Sequence, residues 1–262
     1  MGAQTRHSLE TAKQMLAGHS GMTHDLAANL FAAALGLSGS KALRQALCDS
    51  SSEPSRRQGL AAQAFASLST DAKKLVGQLV LLTWSHPDDL QAALEDLGIR
   101  ICAHAGAGDD IVGELLSVST LVHSDPELEL ALGSKRASGA AKASLVGALI
   151  SSKVSEGTLA IVTHLVHDPR GRRIGAMLKS AAEIVADQSQ MGLAIVTVAK
   201  PLSAQQRSSI EALLRKKYGR EHYVAHVINP DVVGGAKIRV ADDVIDGSIQ
   251  TRLTDLRTKL AG

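Results

Sequence analysis

The sequence predicts a mainly α-helical protein: N-terminal helical bundles, partly duplicated, followed by a small C-terminal α/β domain. Three observations predict it. Apolar residues recur at helical spacing up to about residue 190 of the 262-residue chain and then alternate. Leucine-rich segments in the first part repeat at a constant offset. Aromatic residues are confined to Phe31, Phe65, Trp84, Tyr218 and Tyr223, so the core falls to Ala, Leu, Val and Ile, which suit closely packed helices.

Helices are expected at about 8–17, 25–36, 40–48, 56–66, 70–85, 87–104, 109–123, 126–133, 138–151, 155–167 and 172–189. In 87–104, Leu90, Leu94, Leu97 and Ile101 form one stripe, and Ile174, Leu178, Ala181 and Val185 repeat that spacing. Breaks fall at Ser50-Ser51-Ser52-Glu53-Pro54 and at Gly106-Ala107-Gly108. The pairs Leu47 and Leu132, Leu60 and Leu145, and Phe65 and Ile150 share one offset; Leu90 and Leu94 match Ile174 and Leu178 with the spacing one shorter. A helical module near 126–189 thus has a partial duplicate near 40–94. Two copies are too few for a solenoid, so packed bundles are expected.

Beyond residue 190, Leu193, Ile195 and Thr197 alternate with Ala194, Val196 and Val198. With so little polar contrast, this strand is expected to be covered on both faces. Pro201 ends it, and Ser203 with Gln206 makes a capping box for a helix bearing Ile210, Leu213 and Leu214. Tyr223 to Ile228 reads as a second strand. Pro230 and Asp231 start a turn, Gly234 and Gly235 supply backbone angles that side chains resist, and Ala236 to Val240 forms a third strand with Lys237 and Arg239 on its wet face. Asp246-Gly247 marks a further turn. Ser248 then caps a final helix whose stripe is Ile249, Leu253, Leu256 and Leu260. The expected domains are 1–87, 88–190 and 191–262.

Composition excludes several functions. A formal net charge of +2 exerts no strong pull toward nucleic acid or anionic lipid. No apolar run approaches the length of a membrane span, and residues 1–6 carry neither a signal-peptide core nor an Arg-rich transit pattern. A membrane role would have to run through partners. Cys48 and Cys102 are far apart and read as reduced thiols. The phosphate loop, the nucleophile elbow and the H-E-x-x-H signature are all absent; Gly106-Ala107-Gly108-Asp109-Asp110 lies between helices and reads as a turn. His164 and His167 beside Asp168, and His222 with His226, lack a third converging ligand and read as surface or helix-end histidines. Two basic clusters occur, Arg170 to Arg173 and Arg215 to Arg220. The second has three readings: solvated last-turn cations that complement the helix dipole, docking to an acidic helix, or contact with RNA phosphates.

The string from Val227 to Val240, with Asp243 to Ile249 after it, carries N-P-D-x-x-G-G, D-G-S-I and R-L elements, at Pro230, Asp231, Gly234, Gly235, Asp246, Gly247, Ser248, Arg252 and Leu253. It resembles the C-terminal end of the rotary ATP synthase delta subunit family, whose mitochondrial relative is the oligomycin-sensitivity-conferring protein. Ser124-Asp125-Pro126-Glu127-Leu128, Lys142 to Leu149 and Pro201 to Gln206 resemble other parts of that family. The resemblance covers about 88–262, and residues 1–87 are additional to the usual family length.

The resemblance implies a non-catalytic peripheral-stalk subunit, without cofactor or metal, at the cytoplasmic face of the bacterial plasma membrane. Its helical domain would bind N-terminal segments of alpha subunits, and its C-terminal domain the ends of membrane-anchored b subunits. The head is thereby kept from turning with the rotor. The family's alpha-binding groove, between the first and fifth helices, maps onto Leu90, Leu94, Leu97, Ile161 and Leu165. The extension would lengthen the stator contact or supply a second docking surface. The alternative is a helical adaptor with an RNA-binding tail, dependent on Lys216, Lys217 and Arg220 and therefore on salt.

Overall fold

In a computed structural model, residues 2–19, 21–134, 136–229 and 234–247 are described. Among them the elements run α1 (Ala3–Ala17), α2 (His24–Ser38), α3 (Lys41–Cys48), α4 (Pro54–Ala64), α5 (Thr70–Leu79), α6 (Pro87–Ala105), α7 (Ile111–Ser124), α8 (Pro126–Gly133), α9 (Gly139–Ile150), α10 (Glu156–His167), α11 (Ile174–Gln188), β1 (Gly192–Val198), α12 (Ala204–Tyr218), β2 (His222–Ile228), β3 (Ala236–Val240) and β4 (Asp243–Asp246). The expected final helix, with Ser248, Ile249, Arg252, Leu253, Leu256 and Leu260, and the turn residues Pro230 and Asp231 lie outside the described residues.

Side-chain caps set most helix starts. Ser40, Ser69, Ser138 and Ser155 each accept an N–H from the first turn of α3, α5, α9 and α10. Thr23, Asp110 and Asp125 do the same for α2, α7 and α8. Each cap contributes about 1 kcal/mol.

Two helix ends differ from expectation. α1 begins at Ala3 because its first turns are anchored by polar groups, which carry no apolar period: Thr5 Oγ1 donates to Asp89 Oδ2 at 2.5 Å and Ser8 Oγ to Thr83 O at 2.6 Å. α5 stops at Leu79, short of residue 85. Trp84 Nε1 donates to Leu79 O at 3.0 Å, and Arg57 Nη1 to Val80 O at 2.7 Å, so side chains take carbonyls that a longer helix would have used itself.

The proposed repeat pairs helices of similar order and burial. α3, α4, α5 and α6 recur in order as α8, α9, α10 and α11. Leu47 and Leu132 are fully buried at matching places, as are Ala61 with Val146 and Phe65 with Ile150 within 5% exposure. The match extends back one helix, from α2 with its Thr23 cap to α7 with its Asp110 cap. α6 therefore closes the first set of helices and opens the second. That double duty explains its burial: besides Leu90, Leu94, Leu97 and Ile101, the residues Gln91, Glu95, Ile99, Arg100 and Cys102 are covered too.

The chain forms two compact units, Met1–Val185 and Ala186–Gly262. Residues 1–87 and 88–185 lie in the same unit, with α1, α2 and α3 all packed on α6. In the second unit the sheet order is β2-β1-β3-β4, with β1 parallel to β2 and antiparallel to β3. Ala194, Val196 and Val198 of β1 are buried with Leu214 of α12, Val224 and Ile238. Ile195 and Thr197 on the other face are only half-buried, short of the full cover expected. Sequence reasoning missed β4. Its hairpin with β3 turns through Ala241-Asp242, and Ala241 sits at φ 49°, a left-handed position where glycine or asparagine would have signalled the turn.

Candidate partner-binding site

The five residues expected to line a partner groove are brought together, but in the core. Leu90, Leu94 and Leu97 of α6 and Ile161 of α10 have 0% exposure, and Leu165 has 1%. Their seam is occupied by the chain's own α2, whose Leu26, Ala27, Leu30, Phe31, Ala33, Ala34 and Leu37 are all buried. Phe31 stacks on His164 of α10 with ring centroids 4.3 Å apart. Its ring also fills the space beside Gly98 of α6, where a Cβ would stand 2.4 Å from Phe31 Cε1. None of the five presents surface to a partner in this structure, which corrects their placement in an open groove. The pattern of α2 told that one face was buried, not against what.

Beside this seam lies a charged cluster that the sequence did not reveal. Glu95, 7% exposed, receives two hydrogen bonds from Arg172, at 2.7 and 2.9 Å, and one ion pair from Arg170 at 2.7 Å. His164 Nε2 lies 3.4 Å from its other oxygen. Burial pushes the Glu95 carboxyl up, but the bonds from His164 and Arg172 and the charge of Arg170 outweigh it and hold the value at about 2. Arg170 takes a left-handed backbone, φ 48°, followed by Gly171 at 75°. This turn aims both arginines back at α6 and, with Gln91 Nε2 donating to Asp168 Oδ2 at 2.9 Å, pins the α10–α11 connection. Two of the three arginines in the first basic cluster thus serve the fold. A glutamate inside the apolar run of α6 was the available signal. His164 is itself buried, as is His222, each at 6% exposure, so the surface reading of these two is corrected.

Part of the apolar surface left open in this unit lies on α9. Leu145 and Leu149, one turn apart, are 43% and 42% exposed. They stand beside a groove of about 450 Å³ lined by Gly147, Ala148, Ser151, Glu156, Leu159, Ala160 and Thr163. Small side chains hold the two helices close: a Cβ at Gly139 would come 2.2 Å from His167 O. Such a seam admits an apolar helix and carries no reactive group.

A model of the ATP synthase delta (OSCP) subunit family matches residues 99–260. The chain belongs to that family. The ATP synthase subunit delta of Leifsonia xyli subsp. xyli is 42% identical over the full length of both chains. That of Thermobifida fusca is 36% identical over 84% of each, and that of Pseudarthrobacter chlorophenolicus 33% identical over 90% of each. The family match begins inside α6, whereas the Leifsonia alignment includes the extension, so that relative shares it.

As a delta-family subunit the protein is a non-catalytic component of the peripheral stalk of the F-type ATP synthase. It is membrane-associated through that complex. No single helix among the described residues is long and apolar enough to cross a membrane. Cys48 and Cys102 are free, and burial pushes both thiols up to about 12, which leaves them unreactive. No group of three or more His, Cys, Asp or Glu among the described residues is arranged to hold a metal.

In the second unit the described family-signature residues serve the backbone. Gly234 and Gly235 sit at φ 102° and 80°. Asp246 ends β4 opposite Lys237, and Gly247 N–H donates to Ala236 O at 3.0 Å. In the second basic cluster Arg215 pairs with Glu221 at 2.6 Å, Lys217 with Asp243 at 2.7 Å, and Arg220 approaches Asp187 at 3.9 Å. Arg215, Lys217 and Arg220 thus each have a carboxylate beside them, and Lys216 is exposed.

Proposed function

We propose that this subunit joins the catalytic head to the b subunits by holding an N-terminal segment of an alpha subunit in the α9–α10 seam and the C-terminal ends of b subunits on the second unit, at the cytoplasmic face of the plasma membrane. One observation carries the head contact: α9 keeps Leu145 and Leu149 exposed beside an apolar groove, while α2 already fills the α6–α10 seam. An amphipathic helix laid in the open groove would cover both leucines. For the b subunits, Val227 and Ile228 at the end of edge strand β2, at 38% and 51% exposure, supply an apolar patch on the second unit. By packing on α6 the extension becomes part of the rigid connector and lengthens it. Such a joint needs slow dissociation under torque and no bond-making.

The test is binding of a labelled peptide from an alpha-subunit N-terminus to the full chain. Leu145→Asp with Leu149→Asp is expected to weaken it at least about tenfold, because two apolar anchors become charged. Both side chains are exposed, so the thermal midpoint should hold. Unchanged affinity in the folded double variant would sink the assignment of this seam.

A further inference from the structure

The two helical copies differ at one buried cation. Arg57 of α4 and Lys142 of α9 stand at the same offset as Leu47 and Leu132, and each is 7% exposed. In the first copy Arg57 Nη1 donates to Val80 O at 2.7 Å, while Arg57 Nε is buried without a partner. In the second copy the Lys142 ammonium has no hydrogen bond or ion pair among the described residues, and its nitrogen is not among the fully buried polar atoms. The stem of Lys142 is covered while its charged end stays open to solvent. Lys142 lines an open cavity of about 850 Å³, and Leu149, seven residues on, lies on the same side of α9.

The rest of that cavity explains what Lys142 waits for. Arg136 and Arg173 line it, both exposed and without a described carboxylate partner. Arg172 also lines it but is committed to Glu95. Glu129 is the one acid on the wall among the described residues, and it faces His123 at 3.7 Å. The apolar part is Leu132, Ile174 and, on the rim, Leu130 at 75% exposure.

We propose that this cavity is a second docking site of the protein, which takes a partner segment of the synthase bearing carboxylates flanked by apolar side chains. A carboxylate enters to Lys142, a second meets Arg136 or Arg173, and an apolar neighbour covers Leu130. Charge complementarity selects the occupant: three uncommitted cations need anions, and Leu130 needs an apolar lid, so a small inorganic anion alone would leave it bare. The site requires only that the protein works within the synthase; it is separate from the α9–α10 seam, and either can fail alone.

The experiment places a photo-crosslinking amino acid at residue 130 of the full chain, assembled in the synthase, and identifies the bonded segment by mass spectrometry. A single segment rich in Asp or Glu with apolar neighbours is expected. Lys142→Glu should lower its yield about tenfold, the scale of one charge-assisted bond, and Lys142→Arg should retain it. If Lys142→Glu fails to fold, Arg136→Glu with Arg173→Glu, both on exposed side chains, gives the same test. Charge reversal on the captured segment should restore the yield. An assembled complex with no crosslink from residue 130, a crosslink to another copy of this chain, a captured segment without carboxylates, or a yield indifferent to these reversals would each overturn the proposal.

Discussion

Phe31 lies flat on His164, with centroids 4.3 Å apart and planes 13° from parallel. The contact joins the extension to the part of the chain that the family model matches, and both rings are buried. Phe31→Ala should therefore cost about 3–5 kcal/mol, as large-to-small changes in a packed core do. Urea unfolding of the full chain measures it. A loss within a few tenths would mean that the extension is only loosely attached.

Glu95 adds a pH dependence whose sign is fixed. Its folded value, about 2, lies below the ordinary 4.5. Its contribution is therefore complete above about 4.5 and is lost as pH falls toward 2. Glu95→Gln should flatten stability against pH across that window. At neutral pH it should be less stable than the parent by about 3–5 kcal/mol, since two arginines lose their counter-charge. Unfolding curves at a series of pH values check both statements.

Gly139 is where α9 meets the end of α10. Gly139→Ala would set its Cβ 2.2 Å from a backbone oxygen, so the helices must separate. A loss of about 1–3 kcal/mol is expected, despite the better helix propensity of alanine. Thermal unfolding decides the sign.

Val227→Asp with Ile228→Asp should weaken binding of a fragment taken from the C-terminal end of a b subunit. The expected loss is at least about tenfold, with the far-ultraviolet circular dichroism unchanged. Both residues are exposed, so the substitutions test contact and not folding. Titration of the labelled fragment reads the result.

Much of this was legible from residue order. Helical periods and polar breaks placed eleven helices, and Ser203 with Gln206 announced α12 through a capping box that the structure contains. The ends that went astray are those set by distant groups: Thr83 and Asp89 lengthen α1, and Trp84 and Arg57 shorten α5. β4 escaped because its turn rests on Ala241 at a positive φ, where the sequence carries no glycine.

Taken by itself, the residue order determined the helical class, the small α/β tail and the family. These follow from local periodicity, capping and turn chemistry, all of which act over a few neighbouring residues. Only the tertiary structure decided that α2 fills the seam beside Leu94, that Glu95 gathers Arg170 and Arg172, and that Lys142 lines a cavity while Arg57 donates to Val80 O. An apolar stripe demands burial, and a buried charge demands a partner, but neither names the surface that answers it. Packing among α2, α6 and α10 supplies that choice.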